Sequence, residues 1–219
     1  KYQLQNVLIM IDGEGSLSVA DETERTEAVE NHKVWIDAAS AMNCSAIRVN
    51  LHGSNDPKIW SETSVKSLTD LANYASDKNI NVLVENHGRL SSNGEALMQV
   101  INSVDLPNCG TLPDYGNFCI AEDGYGSITD ENCSEVYDIY KGVEEMMPKA
   151  MALSAKSFDF DEEGNETNID FTRMLSIANQ YNYQGFIGIE YEGNNLGEIE
   201  GIVATRDLVL KNLNANENY

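Results

Sequence analysis

The chain has 219 residues, 42% of them hydrophobic, enough for one well-packed domain spanning 1–219. No apolar run approaches the ~18 residues a membrane-spanning helix needs. With 14 basic against 36 acidic residues the net charge is −22, which argues against DNA or RNA as a ligand, because phosphate backbones call for Lys and Arg.

Short β-rich runs alternate with amphipathic stretches, the pattern of successive βα units. The start, Lys1 to Asn6, carries no signal-peptide pattern. A leader already removed would leave the same start, so the compartment stays open between cytoplasm and export. The first strand is read at 6–12, NVLIMID, followed by a helix near 22–42 with Ala28, Trp35, Ala39 and Met42 on one face. The second strand, SAIRVNL at 45–51, leads to a helix at 62–78 whose Val65, Leu68, Leu71, Ala72 and Ala75 follow a 3.6-residue period. The third strand, NVLVEN at 81–86, precedes a helix at 94–104. The fourth, CGTLPD at 109–114, opens a long loop over 115–133, and the next helix runs from 134 to 147 and stops at Pro148. The fifth strand is MALSAKSF at 151–158, with a helix at 169–182 turning Phe171, Met174, Leu175 and Ala178 inward. The sixth is FIGIEY at 186–191. The last helix, 197–213, is expected to bury Ile199, Ile202, Val203, Leu210 and Leu213, with the tail NANENY frayed.

Of the four cysteines, none forms a C-x-x-C pair, which leaves a structural zinc site without its usual spacing. Cys119 and Cys133 bracket the loop IAEDGYGSITDEN, which a disulfide would staple in an exported protein. Four ordinary thiols are the plainer expectation.

Six consecutive βα units imply a parallel sheet, and polar residues gather at one end of its strands. They are Asp12 and Glu14; Asn50 and His52; Glu85, Asn86 and His87; Asp114 and Asn117; Ser154, Lys156 and Asp159; and Glu190 and Glu192. In barrels and open α/β sheets the C-terminal strand ends are where ligands bind. Converging carboxylates such as Glu85, Asp114 and Glu190 repel one another. A hard divalent cation relieves that repulsion; so would a basic side chain, and Lys156 lies on the intervening strand end. His52 and His87 each precede a glycine and are candidate substrate or metal contacts, whereas His32 sits inside the first helix as a structural residue. Ser91, Ser92 and Asn93, in NHG-x-x-SSNG at 86–94, are capping residues at a helix start that a phosphate could approach. No P-loop and no G-x-G-x-x-G after a strand is present.

The phrases LIMIDGEG (8–15), IRVN (47–50), VLVENHG (82–88), TLPDYGNF (111–118), SAKSFDFD (154–161) and GFIGIEYEG (185–193) resemble the xylose isomerase-like family of sugar isomerases and epimerases. The resemblance implies a TIM-type parallel β/α barrel whose metal, Mn²⁺ or Mg²⁺, is held by Glu, Asp, His and Glu from the last four of eight strands. It places Glu85, Asp114 and Glu190 at three of those four ligand positions. Two departures follow. Six βα units make the barrel incomplete, short of the family's first two strands, on the order of 60 residues. The family histidine aligns with Ser154, a poor substitute for imidazole, and Lys156 shares its face.

The implied chemistry is proton transfer through an enediolate, with Glu85 and Glu190 moving the proton, Lys156 assisting, and His52, His87, Asn117 and Glu192 contacting substrate. The expected partner is a small-molecule carbohydrate, with no nucleic acid and with homo-oligomerisation left open. A keto-sugar lyase or hydrolase on the same site, and a non-catalytic carbohydrate-binding barrel, are the competing readings.

Overall fold

The computed structural model describes residues 3–216, with side chains through residue 213. Six parallel strands appear in chain order: β1 (Leu8–Met10), β2 (Ala46–Val49), β3 (Asn81–Glu85), β4 (Cys109–Leu112), β5 (Leu153–Ser157) and β6 (Ile187–Tyr191). β1 to β4 pair as neighbours, and β5 pairs with β6. Parallel bridges at Thr111–Ala150 and Asp114–Ser154 join β4 to β5. The result is an incomplete β/α barrel, and among the described residues β1 and β6 pair on one side only.

Period-2 alternation sorts the strand side chains between two environments. Ile47, Val49, Val82, Val84, Leu153 and Ala155 face the helices and form the main core with Leu68, Leu71, Leu97, Met174 and Leu175. The barrel interior holds a separate apolar cluster of Ala46, Leu83, Leu112 and Ala152. One pleat further toward the C-terminal ends, the inward positions are polar: Arg48, Glu85, Ser154 and Lys156, all buried. Lys156 sits opposite Glu190 in the β5–β6 register.

The helices are α1 (Glu22–Ala41), α2 (Pro57–Ser76), α3 (Gly94–Val104), α4 (Ile139–Met146), α5 (Phe171–Gln180) and α6 (Glu198–Asn216). They pack in sequence around the outside of the strands. Side chains of Asp21, Asp56, Asn93, Asp138 and Asp170 cap the first five by accepting from backbone N–H groups of the first turn. Two starts differ from the sequence reading for that reason. α2 begins at Pro57, five residues before the expected 62, because Asp56 caps it and proline is at home in the first turn. α4 begins at Ile139 instead of 134, behind the Asp138 cap, and the preceding residues pair with the long loop through Cys119–Val136. At its other end the α-helix stops at Met146, and Pro148 lies within a 3₁₀ turn, Met147–Lys149.

Two helix faces differ from the sequence reading. α1 buries Ala28, Val29, His32, Ile36 and Ala39, leaving Trp35 38% exposed and Met42 half-exposed. Trp35 Nε1 instead donates to Glu14 Oε1 at 2.9 Å. In α6 all five residues expected inside are exposed, with Ile199 at 72%; Thr205, Leu208, Val209 and Asn212 are the buried ones. An apolar residue on every face gives two equally good stripes, and packing against β5 and β6 chose the one containing Gly201, where the Tyr191 ring leaves no room for a side chain. α6 runs to Asn216, so the expected frayed tail is helical that far; its last three residues lie outside those described.

These orientations set opposite stability effects. Leu71→Ala, in the main core, should cost about 2–5 kcal/mol in urea unfolding. Ile199→Ala, on the exposed face of α6, should stay within about 0.5 kcal/mol. A large loss from the second variant would contradict the observed α6 orientation.

Candidate functional site

At the C-terminal ends of the strands the inward side chains converge. Glu85 from β3, Asp114 just after β4 and Glu190 from β6 each offer a carboxylate oxygen within 4.8 Å of the others. Asp114 is held by its surroundings: its backbone N–H donates to Asn86 Oδ1 at 2.7 Å, and its own Oδ1 accepts from the Gly116 and Asn117 N–H groups. Its other oxygen, Oδ2, is buried without a hydrogen-bond partner. Glu190 Oε2 accepts from the Ser154 hydroxyl at 2.8 Å.

Two cations answer these acids. Lys156 Nζ lies 3.4 Å from Glu190, 3.9 Å from Asp114 and 3.1 Å from Glu192, and donates to Asn117 Oδ1 at 3.0 Å. Arg48, inward on β2, places Nε 2.7 Å from Glu85 Oε2 and Nη1 2.8 Å from Asp12 Oδ1. Asn117 ties the halves together, because its Nδ2 also donates to Glu85 Oε1 at 3.1 Å. Asn50 Nδ2 supports Asp12 at 3.0 Å.

Burial is the largest influence on the two innermost acids. It pushes Glu85 up to about 8, with the Asp114 charge adding to the effect and Arg48 and Lys156 opposing it. Burial likewise pushes Asp114 up to about 7, against Lys156 and with Glu190. Lys156 itself is penalised by burial, yet the Asp114, Glu190 and Glu192 carboxylates outweigh that and raise its pKa, keeping it an ammonium.

His52 and His87 stand at the rim, ring centroids 5.6 Å apart. Burial lowers both pKa values, His87 to about 4 with help from Lys156, so both rings are neutral at pH 7. The structure thus gathers the candidate site residues: Glu85, Asp114, Glu190, Lys156, Asn117 and Glu192 at the centre, His52 and His87 beside it. Glu14 turns away toward Trp35. Ser91 and Ser92 do not await a phosphate. Their hydroxyls accept from the His87 and Gly88 N–H groups and donate to the Gly88 and Asn117 carbonyls. His32 is buried against the Ala28 carbonyl, as a structural residue would be.

Arg48 was missed as a site residue. Its signal was present, since a lone charge between Ile47 and Val49 in a buried strand demands a buried partner. The 115–133 loop also differs from the plainer expectation of free thiols: Cys119 and Cys133 form a disulfide, while Cys44 and Cys109 stay free and buried.

The donor set suits a hard divalent ion. It offers three carboxylates, one of them with an orphaned buried oxygen, and burial together with neighbouring negative charge raises the pKa of Glu85 and Asp114, a cost that a cation would relieve. Ser154 occupies the place of the expected imidazole and is engaged with Glu190.

Removing the buried cation tests this charge balance. Lys156→Met leaves Asp114 and Glu190 without their ammonium and should cost about 3–5 kcal/mol in urea unfolding of metal-free protein. A loss below about 1 kcal/mol would mean that the carboxylates are compensated without it.

The family model described as "Xylose isomerase-like TIM barrel" matches residues 1–212. The C-glycoside deglycosidase alpha subunit of Arthrobacter globiformis is 36% identical over 70 residues, which span 31% of this chain and only 19% of that protein. Among solved structures, a D-tagatose 3-epimerase-like protein superposes with a TM-score of 0.77 at 18% identity, covering 99% of this chain and 80% of that one. A xylose isomerase-like TIM barrel protein from Mycobacterium smegmatis, solved with magnesium, gives a TM-score of 0.67 at 14% identity over 95% of this chain and 73% of that one. At these identities the structural likeness establishes the fold alone.

Proposed function

Because the chain belongs to the xylose isomerase-like TIM barrel family, we propose that it isomerises or epimerises a sugar or sugar derivative by moving a proton through an enediolate. The observation that carries this reading is the convergence of Glu85, Asp114 and Glu190 at the ends of three strands. Glu85, Asp114 and Glu190 would hold a Mn²⁺ or Mg²⁺ ion, which supplies Lewis-acid polarisation of the sugar oxygens when bound.

The remaining work belongs to the protein's own groups. Glu85 and Glu190 flank the substrate from opposite sides: a proton taken by one and returned to the same carbon by the other gives an epimer, and a proton returned to the neighbouring carbon gives an isomer. In the metal-free site burial raises the proton affinity of Glu85; a bound cation would lower it and keep the carboxylate ready to accept a proton. Asn117 orients Glu85 through its amide and holds Lys156 through its carbonyl oxygen. Lys156, kept charged by its carboxylate neighbours, stabilises negative charge developing on a substrate oxygen. Glu192 fixes Lys156, and His52, His87 and Asn117 contact hydroxyl groups.

A second reading has one specific support, the 70-residue similarity to a deglycosidase subunit. The same proton abstraction next to a ketone would expel a β-positioned leaving group and break a glycoside. Products from a 3-keto-glycoside separate the two: an epimer with the glycosidic bond intact, or a released aglycone.

Glu85→Gln and Glu190→Gln should each lower exchange of substrate carbon-bound hydrogen into deuterated solvent by about 10²–10⁴-fold. Wild-type exchange in both variants would exclude the assignment. Mn²⁺ at about 100 times its Kd should stabilise the wild-type protein by about 2.7 kcal/mol, and Glu85→Gln should remove most of that gain. Identical melting with and without Mn²⁺, together with no metal by elemental analysis, would remove the ion from the mechanism.

A further inference from the structure

Beside the carboxylate centre lies an aromatic wall that the proton-transfer chemistry does not use. Tyr125 stands 65% exposed over the two rim histidines. Its ring is stacked on His52 at 5.7 Å and 21°, and meets His87 edge-on at 5.2 Å and 74°. The loop that delivers it is fastened at several points. The Cys119–Cys133 disulfide closes it, and Cys119 N–H donates to the Gly126 carbonyl at 2.9 Å. Tyr125 N–H donates to Asp130 Oδ2 at 2.8 Å. Gly88 and Gly126 approach so closely that a Cβ on Gly88 would come 2.9 Å from the Gly126 nitrogen, and both residues have positive φ. Gly126 packs between the Asn117 amide and the His87 ring. The wall therefore begins where the carboxylate pocket ends.

The two histidines under the tyrosine are packed inward. His52 Nε2 and His87 Nδ1 are buried and have no hydrogen-bond partner. A neutral imidazole has one donor and one acceptor nitrogen, and leaving either buried and unpaired is costly. An apolar stack alone would be served by Phe or Leu. An exposed tyrosine face with the exposed Asp12 carboxylate at its edge suits a flat ring that carries hydroxyl groups, which is a pyranose. Asp12, tied to Arg48 and Asn50 and within electrostatic reach of both histidines, adds an acceptor at the same edge.

We infer that Tyr125, His52 and His87 form a subsite for a second sugar ring, so that the substrate class is a disaccharide or longer glycoside with one ring at Glu85 and Glu190 and the next against Tyr125. This rests on the carbohydrate reading above and narrows it.

The test is titration of the full chain with glucose and galactose and with cellobiose, maltose and lactose, following the histidine ring signals by NMR and the affinity by calorimetry. At least one disaccharide should bind about tenfold more tightly than its component monosaccharides and shift the His52 and His87 signals. Tyr125→Ala should abolish that preference while leaving monosaccharide affinity unchanged, and Tyr125→Phe should retain it. No preference among these probes, or a preference that persists in Tyr125→Ala, overturns the inference. Solvent exchange into a panel of ketohexoses and of keto-disaccharides such as lactulose and maltulose, measured in parallel, keeps the two ideas apart. Exchange at equal rates in wild type and Tyr125→Ala without a disaccharide preference leaves the isomerase reading standing and removes the subsite. A Tyr125-dependent preference without exchange supports the subsite and removes the isomerase reading.

Discussion

Charge balance in a buried place is the constraint on which the rest of this structure depends. Glu85 and Asp114 have essentially no solvent exposure, and an isolated buried carboxylate is too costly to persist ionised. Two cations from neighbouring strands, Arg48 and Lys156, make the arrangement tolerable, and Asn117 links their territories. Burial nevertheless raises the pKa values of Glu85 and Asp114, and neighbouring carboxylates add to it. That residual demand for positive charge is what makes the centre receptive to a divalent ion or to a proton that can be passed on.

Lys156 and a metal ion would answer the same need from different directions. With Ser154 where the family resemblance calls for histidine, one ligand position is filled by a hydroxyl engaged with Glu190. The ammonium sits between Asp114, Glu190 and Glu192, on the same inner face of β5 as Ser154. The pleat puts residues 154 and 156 on one face, so the hydroxyl and the ammonium lie side by side at the carboxylates without any shift of the backbone.

The scaffold around this centre is asymmetric. On the β2–β4 side, the disulfide-closed loop and the Gly88–Gly126 contact build a tall, fixed rim. On the other side β6 and β1 each have an unpaired outer edge among the described residues, and Phe186 and Met10 near them are exposed. Unpaired strand edges and apolar side chains in water carry a cost. The centre is insulated from that cost because its contacts run between adjacent strands and do not cross the gap.

The sequence alone determined the strand–helix alternation, the parallel sheet and the identity of the three carboxylates, since each follows from local periodicity and from polar residues recurring at strand ends. Glu85, Asp114, Glu190 and Lys156 were legible because a two-residue period leaves little choice about which side chains share the inner face. Tertiary structure alone decided what depended on distant partners. The α1 and α6 stripes were ambiguous because apolar residues occur on more than one face, and the packed neighbour selects between them. The α2 and α4 starts were fixed by Asp56 and Asp138, whose capping value appears only once the preceding chain direction is known. Arg48 became a site residue because it meets Glu85 and Asp12, 37 and 36 positions away, and Tyr125 because a disulfide brings its loop over two histidines. A local pattern can name the residue types that chemistry needs, but charge pairing and ring stacking are properties of distance, which only the folded chain sets.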